Sequence, residues 1–170
     1  MSERELGRRP PSSNVDRDEV GHTIRRALDA ERMDLVMLWE RAVRATHLFL
    51  GEEDVLALRP LVAAELASHT FDWWVLELAS HGPIAFLGLT SGVIEALFVD
   101  PDYHRRGAGA ALVDHAQSLN PGSLSVDVNE DNPRAIAFYR ALGFALVGRS
   151  DMDGGGRPFP ILHLRRPAPT

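Results

Sequence analysis

From Gly21 onward, apolar positions recur along the chain in two rhythms, every third or fourth residue in some stretches and every second in others. The run "HTIRRAL" (22–28) reads as a first strand, and Asp29 then reads as the cap of a helix. On that helix Leu35, Leu38, Trp39, Ala42 and Val43 repeat at helical spacing. A second helix follows Gly51, and Pro60 predicts an interruption or kink, because proline supplies no N–H to the helical ladder. Residues 73–100 give three β-rich runs, "WWVLEL", "PIAFLGLT" and "VIEALFVD", separated by "ASHG" and "SG". Turns that short join adjacent antiparallel strands into a meander. Trp73 and Trp74 alternate across their strand, which predicts one in the core and the other partly exposed. A helix from Gly107, a strand "LSVDVN" and a helix from Pro133 to Leu142 closed by Gly143 come next. A strand "FALVGR", a Gly/Pro-rich loop and a last strand "ILHLR" complete the chain. The order implies an α+β architecture, antiparallel at its start, with at least one strand-helix-strand crossover later.

The first 20 residues mix both charge signs with Pro-Pro and Ser-Ser and carry no sustained apolar period. They are expected to form a flexible tail, 1–20, before a single domain over 21–170. At 170 residues and 45% hydrophobic content, one core is the expectation. A formal net charge of -6 argues against a nucleic-acid partner, since affinity for a polyanion comes largely from Lys and Arg neutralising phosphates. Any anion site must therefore be local. The chain has no cysteine, which removes disulfides, thiolate catalysis and thiolate metal sites together. It shows no basic-then-apolar leader and no long apolar run, so a cytoplasmic protein without a membrane segment is expected. The seven histidines are scattered without a spacing that argues for metal.

The stretch "HRRGAGAALVDHAQ" (104–117) places two arginines and two glycines directly before an amphipathic helix. A helix N-terminus offers unpaired N–H groups and about half a positive charge, and glycines let a backbone approach an anion closely. Such a turn serves equally well to start a helix against a sheet. A dinucleotide-binding fingerprint fits poorly, because Leu112 stands where that motif has its third glycine or alanine. The ATP-type phosphate loop is absent, as no Gly-Lys-Ser/Thr occurs.

"LFVDPDYHRRGAGAALV" followed by "VNEDNPRAIAFYRALGF" resembles the two central motifs of the GNAT superfamily of acyl-CoA N-acyltransferases. With "RATHLFL" and "GRSDMDGGGRPFPILHL", the chain is similar to a subfamily of small bacterial acetyltransferases from about His22 to Leu164. The resemblance implies a mixed, mainly antiparallel sheet of six to seven strands, splayed at the central strands and flanked by about four helices. It implies that Arg105, Arg106, Gly107, Ala108, Gly109 and Ala110 surround the pyrophosphate of coenzyme A. His104 departs from the Gln or Arg usual at the first position of that loop. It further implies that the backbone of Leu97, Phe98 and Val99 pairs with the pantetheine arm, and that Asn132 touches that arm besides capping its helix.

By the same resemblance Tyr139 assists the departing thiolate. A thiol's conjugate base, from an acid with pKa near 8.5, is helped by a phenol at hydrogen-bonding distance. An ammonium cannot attack until it loses a proton, so a base is sought. Glu95 lies two residues before Leu97, and strand alternation puts the two on one face. Asp127 in "LSVDVN" is the competing carboxylate, and ordered water is a third way to remove the proton. Thr46, His47 and Phe49 in "RATHLFL" are candidates for the acceptor pocket, with a helix end capped by His47 as the plainer alternative. The expected co-substrate is acetyl-CoA, with no metal. The expected reaction is acetyl transfer to a primary amine, of a small molecule or a peptide, by direct attack in a ternary complex. The alternative is a non-catalytic acyl-CoA sensor, and a homodimer is left open.

Overall fold

The computed structural model describes residues 21–170, so the tail expected over 1–20 lies outside it. The elements are β1 (His22–Arg26), α1 (Arg32–Thr46), α2 (Glu52–Ala67), β2 (Asp72–Leu78), β3 (Gly82–Thr90) and β4 (Val93–Val99). After these come α3 (Ala108–Leu119), β5 (Leu124–Asn129), α4 (Pro133–Ala141), β6 (Ala145–Ser150) and β7 (Ile161–Arg166). Among the described residues seven strands form one sheet in the order β1-β2-β3-β4-β5-β7-β6. Every neighbouring pair is antiparallel except β4 and β5, whose parallel pairing is made by the α3 crossover. The expected α+β class, strand number and helix number all hold.

Helices cover both faces, and this decides which side chains are core. On one face α3 contributes Leu112, Val113 and Ala116 and α4 contributes Tyr139. They pack against Ala85, Leu87 and Leu89 of β3, Ile94 of β4, Val126 of β5 and Leu162 and Leu164 of β7. On the other face Leu35, Leu38, Trp39 and Val43 of α1, with Val55 and Leu66 of α2, close over Val75 of β2 and Phe86 of β3. Fully burying a side chain such as Leu112 stabilises the fold by about 1.5–3 kcal/mol. The two-sided cover corrects the expectation for the tryptophans. Trp73 packs with the α1/α2 cluster and Trp74 with the α3/α4 cluster, so both are partly buried.

Three other expectations change in detail. β1 ends at Arg26. Asp29 does not cap α1: a 3-10 turn spans Asp29–Glu31, the Glu31 carboxylate accepts the Leu28 N–H at 2.9 Å, and α1 starts only at Arg32. α2 runs unbroken through Pro60, which is exposed, so water can reach the backbone group that the missing N–H leaves without a helical partner. Among the described residues no helix is long and apolar enough to cross a membrane.

Candidate functional site

The centre of the sheet is its weakest seam. β4 and β5 are paired only at Val93↔Ser125 and Ile94↔Val126. From Ala96 to Val99, β4 keeps β3 on one side and among the described residues has no strand on the other. Backbone donors and acceptors left open in this way seek a partner, and an extended ligand can supply one. The opening widens into a cleft of about 950 Å³ between β4, the start of α3 and the length of α4, with the end of α1 at its rim. Leu97, Phe98, Val99, Arg105, Gly107, Ala108, Gly109, Ala110, Asn132, Tyr139, Thr46 and His47 all line it. Residues up to 99 positions apart in the chain, Ala42 and Ala141 at the extremes of the lining, therefore meet in one place.

The start of α3 is built to expose amides. Arg105 and Gly107 are both left-handed, at φ 62° and 82°. Gly107 is the residue preceding the helix and no side chain caps it, so the first N–H to find a helical carbonyl is Ala111, at 2.9 Å from the Gly107 oxygen. The N–H groups of Ala108, Gly109 and Ala110 have no such partner and sit at the positive end of the helix. A Cβ at Gly107 would meet nothing within 4 Å, so its cost is the left-handed backbone and whatever the cleft holds. A Cβ at Gly109 would stand 3.1 Å from the Phe138 ring, so this glycine lets α3 and α4 approach. These residues fit a pyrophosphate: open amides, a concave backbone and cations.

The cations divide. Arg105 lines the cleft, whereas Arg106 places its guanidinium 5.3 Å from the centre of the Tyr103 ring and is absent from the lining. Arg134, at the start of α4, lines the cleft. Only its place beside Asn132 and Pro133 in the second motif could have singled it out. His104 also lines the cleft, and its Nε2 lies 3.0 Å from the carbonyl oxygen of Val99, the last residue of β4.

Tyr139 is 6% exposed, packed edge-on against Phe138 and Phe144. Burial pushes its phenol above the usual range, so it stays protonated at neutral pH. Asn132 is also buried, and its Oδ1 accepts the Ala135 N–H at 3.1 Å, with Pro133 next. This is the expected cap, and it leaves the amide nitrogen for a ligand.

Glu95 departs from the alternation read in the sequence. β3 pairs Gly88 with Ala96 but Leu89 with Ile94, so Glu95 is the extra residue of a β-bulge. Ile94, not Glu95, shares the core face of Leu97 and Val99. Glu95 lies on the opposite face, beside Asp127, which alternates with the core residues Val126 and Val128 on β5. The Glu95 carboxyl is raised above the ordinary glutamate range by partial desolvation first, then by the charges of Asp127 and of Glu65 on α2. Neither Glu95 nor Asp127 lines the cleft itself.

A group of aromatic rings gathers where α1 ends. His47 lies 5.6 Å from Phe49 and 6.3 Å from Phe98, and Phe49 lies 6.0 Å from Phe159 in the loop before β7. The His47 ring is partly buried, its Nδ1 is 2.8 Å from the Thr46 hydroxyl, and burial lowers its pKa. The end of α1 is closed by the His47 backbone N–H on the Val43 carbonyl, so the ring is not used for that purpose. The glycine-rich loop is knitted by Asp153, whose carboxylate accepts the N–H groups of Gly155 and Arg157, each at 2.9 Å. A second cavity, of about 160 Å³, lies between Arg26, Arg32, His69 and Trp73, away from both motifs.

Residues 62–144 match the acetyltransferase (GNAT) family. The peptidyl-lysine N-acetyltransferase YjaB of Salmonella typhimurium is 40% identical over 144 residues, 85% of this chain and 97% of that protein. The solution structure of apo-form YjaB from Escherichia coli matches with a TM-score of 0.78 at 40% identity, over 85% of this chain and 96% of that one. At 16% identity, the PaiA N-acetyltransferase of Thermoplasma acidophilum, solved in complex with coenzyme A, shares the fold with a TM-score of 0.69 over 86% of this chain and 98% of that one.

Proposed function

The chain belongs to the GNAT acetyltransferase family and is an N-acetyltransferase, and on that premise we propose that it acetylates the ε-amine of a lysine in a peptide or protein by direct attack on acetyl-CoA. The observation that carries the reading is the splayed seam. Unpaired β4 backbone, uncapped α3 amides and the Tyr139 phenol line one cleft, and a carboxyl with a raised pKa stands on the same strand, β4. The acceptor class is supported by the name of the 40% identical relative and by the meeting of Glu95, Asp127 and Glu65, which suits a cation.

Acetyl-CoA supplies an acetyl thioester. The amides of Ala108, Gly109 and Ala110, with Arg105 and Arg134, hold its pyrophosphate, and the Leu97–Val99 backbone together with the Asn132 amide aligns its extended arm. Glu95, alone or through water, accepts one proton from the acceptor's ammonium, and its raised pKa makes it a better base for that purpose. As the nitrogen–carbon bond forms and the carbon–sulfur bond breaks, the nitrogen loses its surplus proton and the sulfur gains one. Tyr139 donates its hydrogen bond to that sulfur. Its high pKa keeps the donor loaded throughout. Asp127 then serves charge and position.

A panel of amines, with lysine peptides beside polyamines, amino acids and antibiotics, followed by release of the CoA thiol, tests the acceptor class. Lysine peptides are expected to give the highest kcat/KM. A small amine outrunning every peptide would replace the substrate class and leave the chemistry in place.

A further inference from the structure

The geometry points to His163 as a positioning residue for the acceptor: clamped between Ser150 and Asp127, it fixes the carboxylate that stands beside Glu95 where the acceptor's ammonium is received. The inference rests on the proposed role of Glu95. It adds two residues, His163 and Ser150, that lie outside both sequence motifs.

His163 occurs in "ILHLRR", where Leu162 and Leu164 enter the core and His163 takes the opposite face of β7. That face of the sheet is covered by α1 and α2 over β2, β3 and β4, while over β5 Asp127 is 65% exposed. The ring is held at two points: its Nδ1 is 2.7 Å from Asp127 Oδ1 and its Nε2 is 2.8 Å from the Ser150 hydroxyl. The neighbouring Gly148 leaves room for it, since a Cβ there would come within 3.3 Å of its edge. A carboxylate only accepts, so Nδ1 carries the hydrogen and donates it to Asp127, and Ser150 holds the other nitrogen. A histidine that merely meets solvent needs neither of these restraints. Fixed in this way, Asp127 keeps Oδ2 without a hydrogen-bond partner among the described residues.

The consequence reaches Glu95. The Asp127 charge is one of the causes that raise the Glu95 carboxyl, so an Asp127 free to swing away would leave Glu95 a weaker base. It would also spread the negative charge that meets the substrate cation. The other charged groups near His163 are Glu95 on β4, Glu65 on α2, Arg165 two residues along β7, and Arg149 on β6, which is taken up by Glu130 and Asp151.

The test is steady-state kinetics of the full chain with acetyl-CoA and a lysine peptide across about pH 5 to 9, with acetyl-CoA affinity by calorimetry as the control. His163→Leu is expected to raise the acceptor KM about ten-fold and to move the acid limb of kcat/KM to lower pH, with acetyl-CoA affinity unchanged. His163→Asn, whose amide can take the place of the Nδ1 donor, is expected to recover most of that loss. Ser150→Ala is expected to move the same way by less. If the Leu variant fails to fold, His163→Gln, which shifts the donor to the other ring position, replaces it. An acceptor KM and acid limb equal to the parent's in the Leu or Gln variant overturn the inference, as does an Asn variant impaired as badly as Leu. Glu95→Gln is run alongside. If it erases the limb while His163→Leu changes nothing, positioning fails and the base stands. If it leaves the limb intact, the base reading fails, and His163 is judged on acceptor KM alone.

Discussion

The two walls of the proposed site are made of different material. The proposed cofactor wall is largely backbone: uncapped amides at the start of α3, unpaired groups on β4, and two left-handed residues that shape the turn between them. The proposed acceptor wall is made of side chains, most of them beyond the cleft lining: His47 and Phe49 just after α1, Phe159 in the loop before β7, and Glu95, Asp127 and Glu65 on β4, β5 and α2. A backbone wall recognises what every reaction of the family shares, because amides and helix ends bind any pyrophosphate in the same way. A side-chain wall can be exchanged without disturbing the fold. The difference explains how one scaffold keeps its donor and changes its acceptor.

The sharpest way to break the comparison is to put a side chain into the backbone wall. Gly107→Glu forces an L-residue to φ 82°, at a cost of about 1–2 kcal/mol, and adds a negative charge at the turn proposed for the phosphates. Acetyl-CoA affinity measured by calorimetry is expected to fall by more than about 100-fold, close to 3 kcal/mol. Gly107→Ala carries the strain without the charge and should lose far less. Equal affinity in the Glu variant would remove the phosphate from this turn.

How far each wall could be read from the chain follows from the same difference. Glycine spacing, a helix start and a strand before it are local signals, so the 105–110 turn, the β4 end and the Asn132 cap were all legible. Arg106 was legible as a cation but not as one turned onto Tyr103, because its direction depends on a tertiary neighbour. The acceptor wall was legible only as a list. A single extra residue in β4 reverses the face of Glu95, and nothing in "VIEALFVD" announces a bulge whose partner lies in β3. His163 looked like one of seven scattered histidines because its partners come from β5 and β6.

Tyr139 belongs to α4, the helix along the cleft. Tyr139→Phe keeps the packing against Phe138 and Phe144 and removes only the hydroxyl. Turnover is expected to drop by about 10- to 1000-fold with acetyl-CoA affinity nearly intact. An unchanged kcat would reduce the tyrosine to packing.

Glu95→Gln acts on the side-chain wall alone, and two measurements should move in opposite directions. Turnover is expected to fall by about ten-fold or more near neutral pH, to lose its acid limb and to recover partly as rising pH deprotonates the amine unaided. Thermal stability at neutral pH is expected to rise. The Glu95 carboxyl is raised in the folded chain, so its favourable share of stability is present below the ordinary glutamate pKa and is lost as pH rises through the raised one. Glutamine never acquires the charge that Asp127 and Glu65 oppose. Asp127→Asn should leave the limb present. If the limb instead disappears in Asp127→Asn and persists in Glu95→Gln, the roles exchange, and persistence in both assigns the proton to water.

The smallest expected effect comes at Asn132, which serves both the helix and the cofactor wall. Its Oδ1 caps α4 and so steadies the helix that carries Tyr139, while its Nδ2 is the group assigned to the extended arm of the co-substrate. Asn132→Ala removes both and is expected to lose about 1 kcal/mol of stability together with some acetyl-CoA affinity. Asn132→Asp separates them. An aspartate caps as well as an asparagine and its charge suits the helix N-terminus, so the melting temperature should stay at or above the parent's. It has no N–H to give, and it brings a negative charge into the cleft proposed for a polyanion. If Nδ2 touches the cofactor, affinity in Asn132→Asp should fall below that of Asn132→Ala even though the fold is the more stable of the two. If affinity instead follows stability through both variants, Asn132 is a cap alone, and the backbone wall holds the extended arm without a side chain.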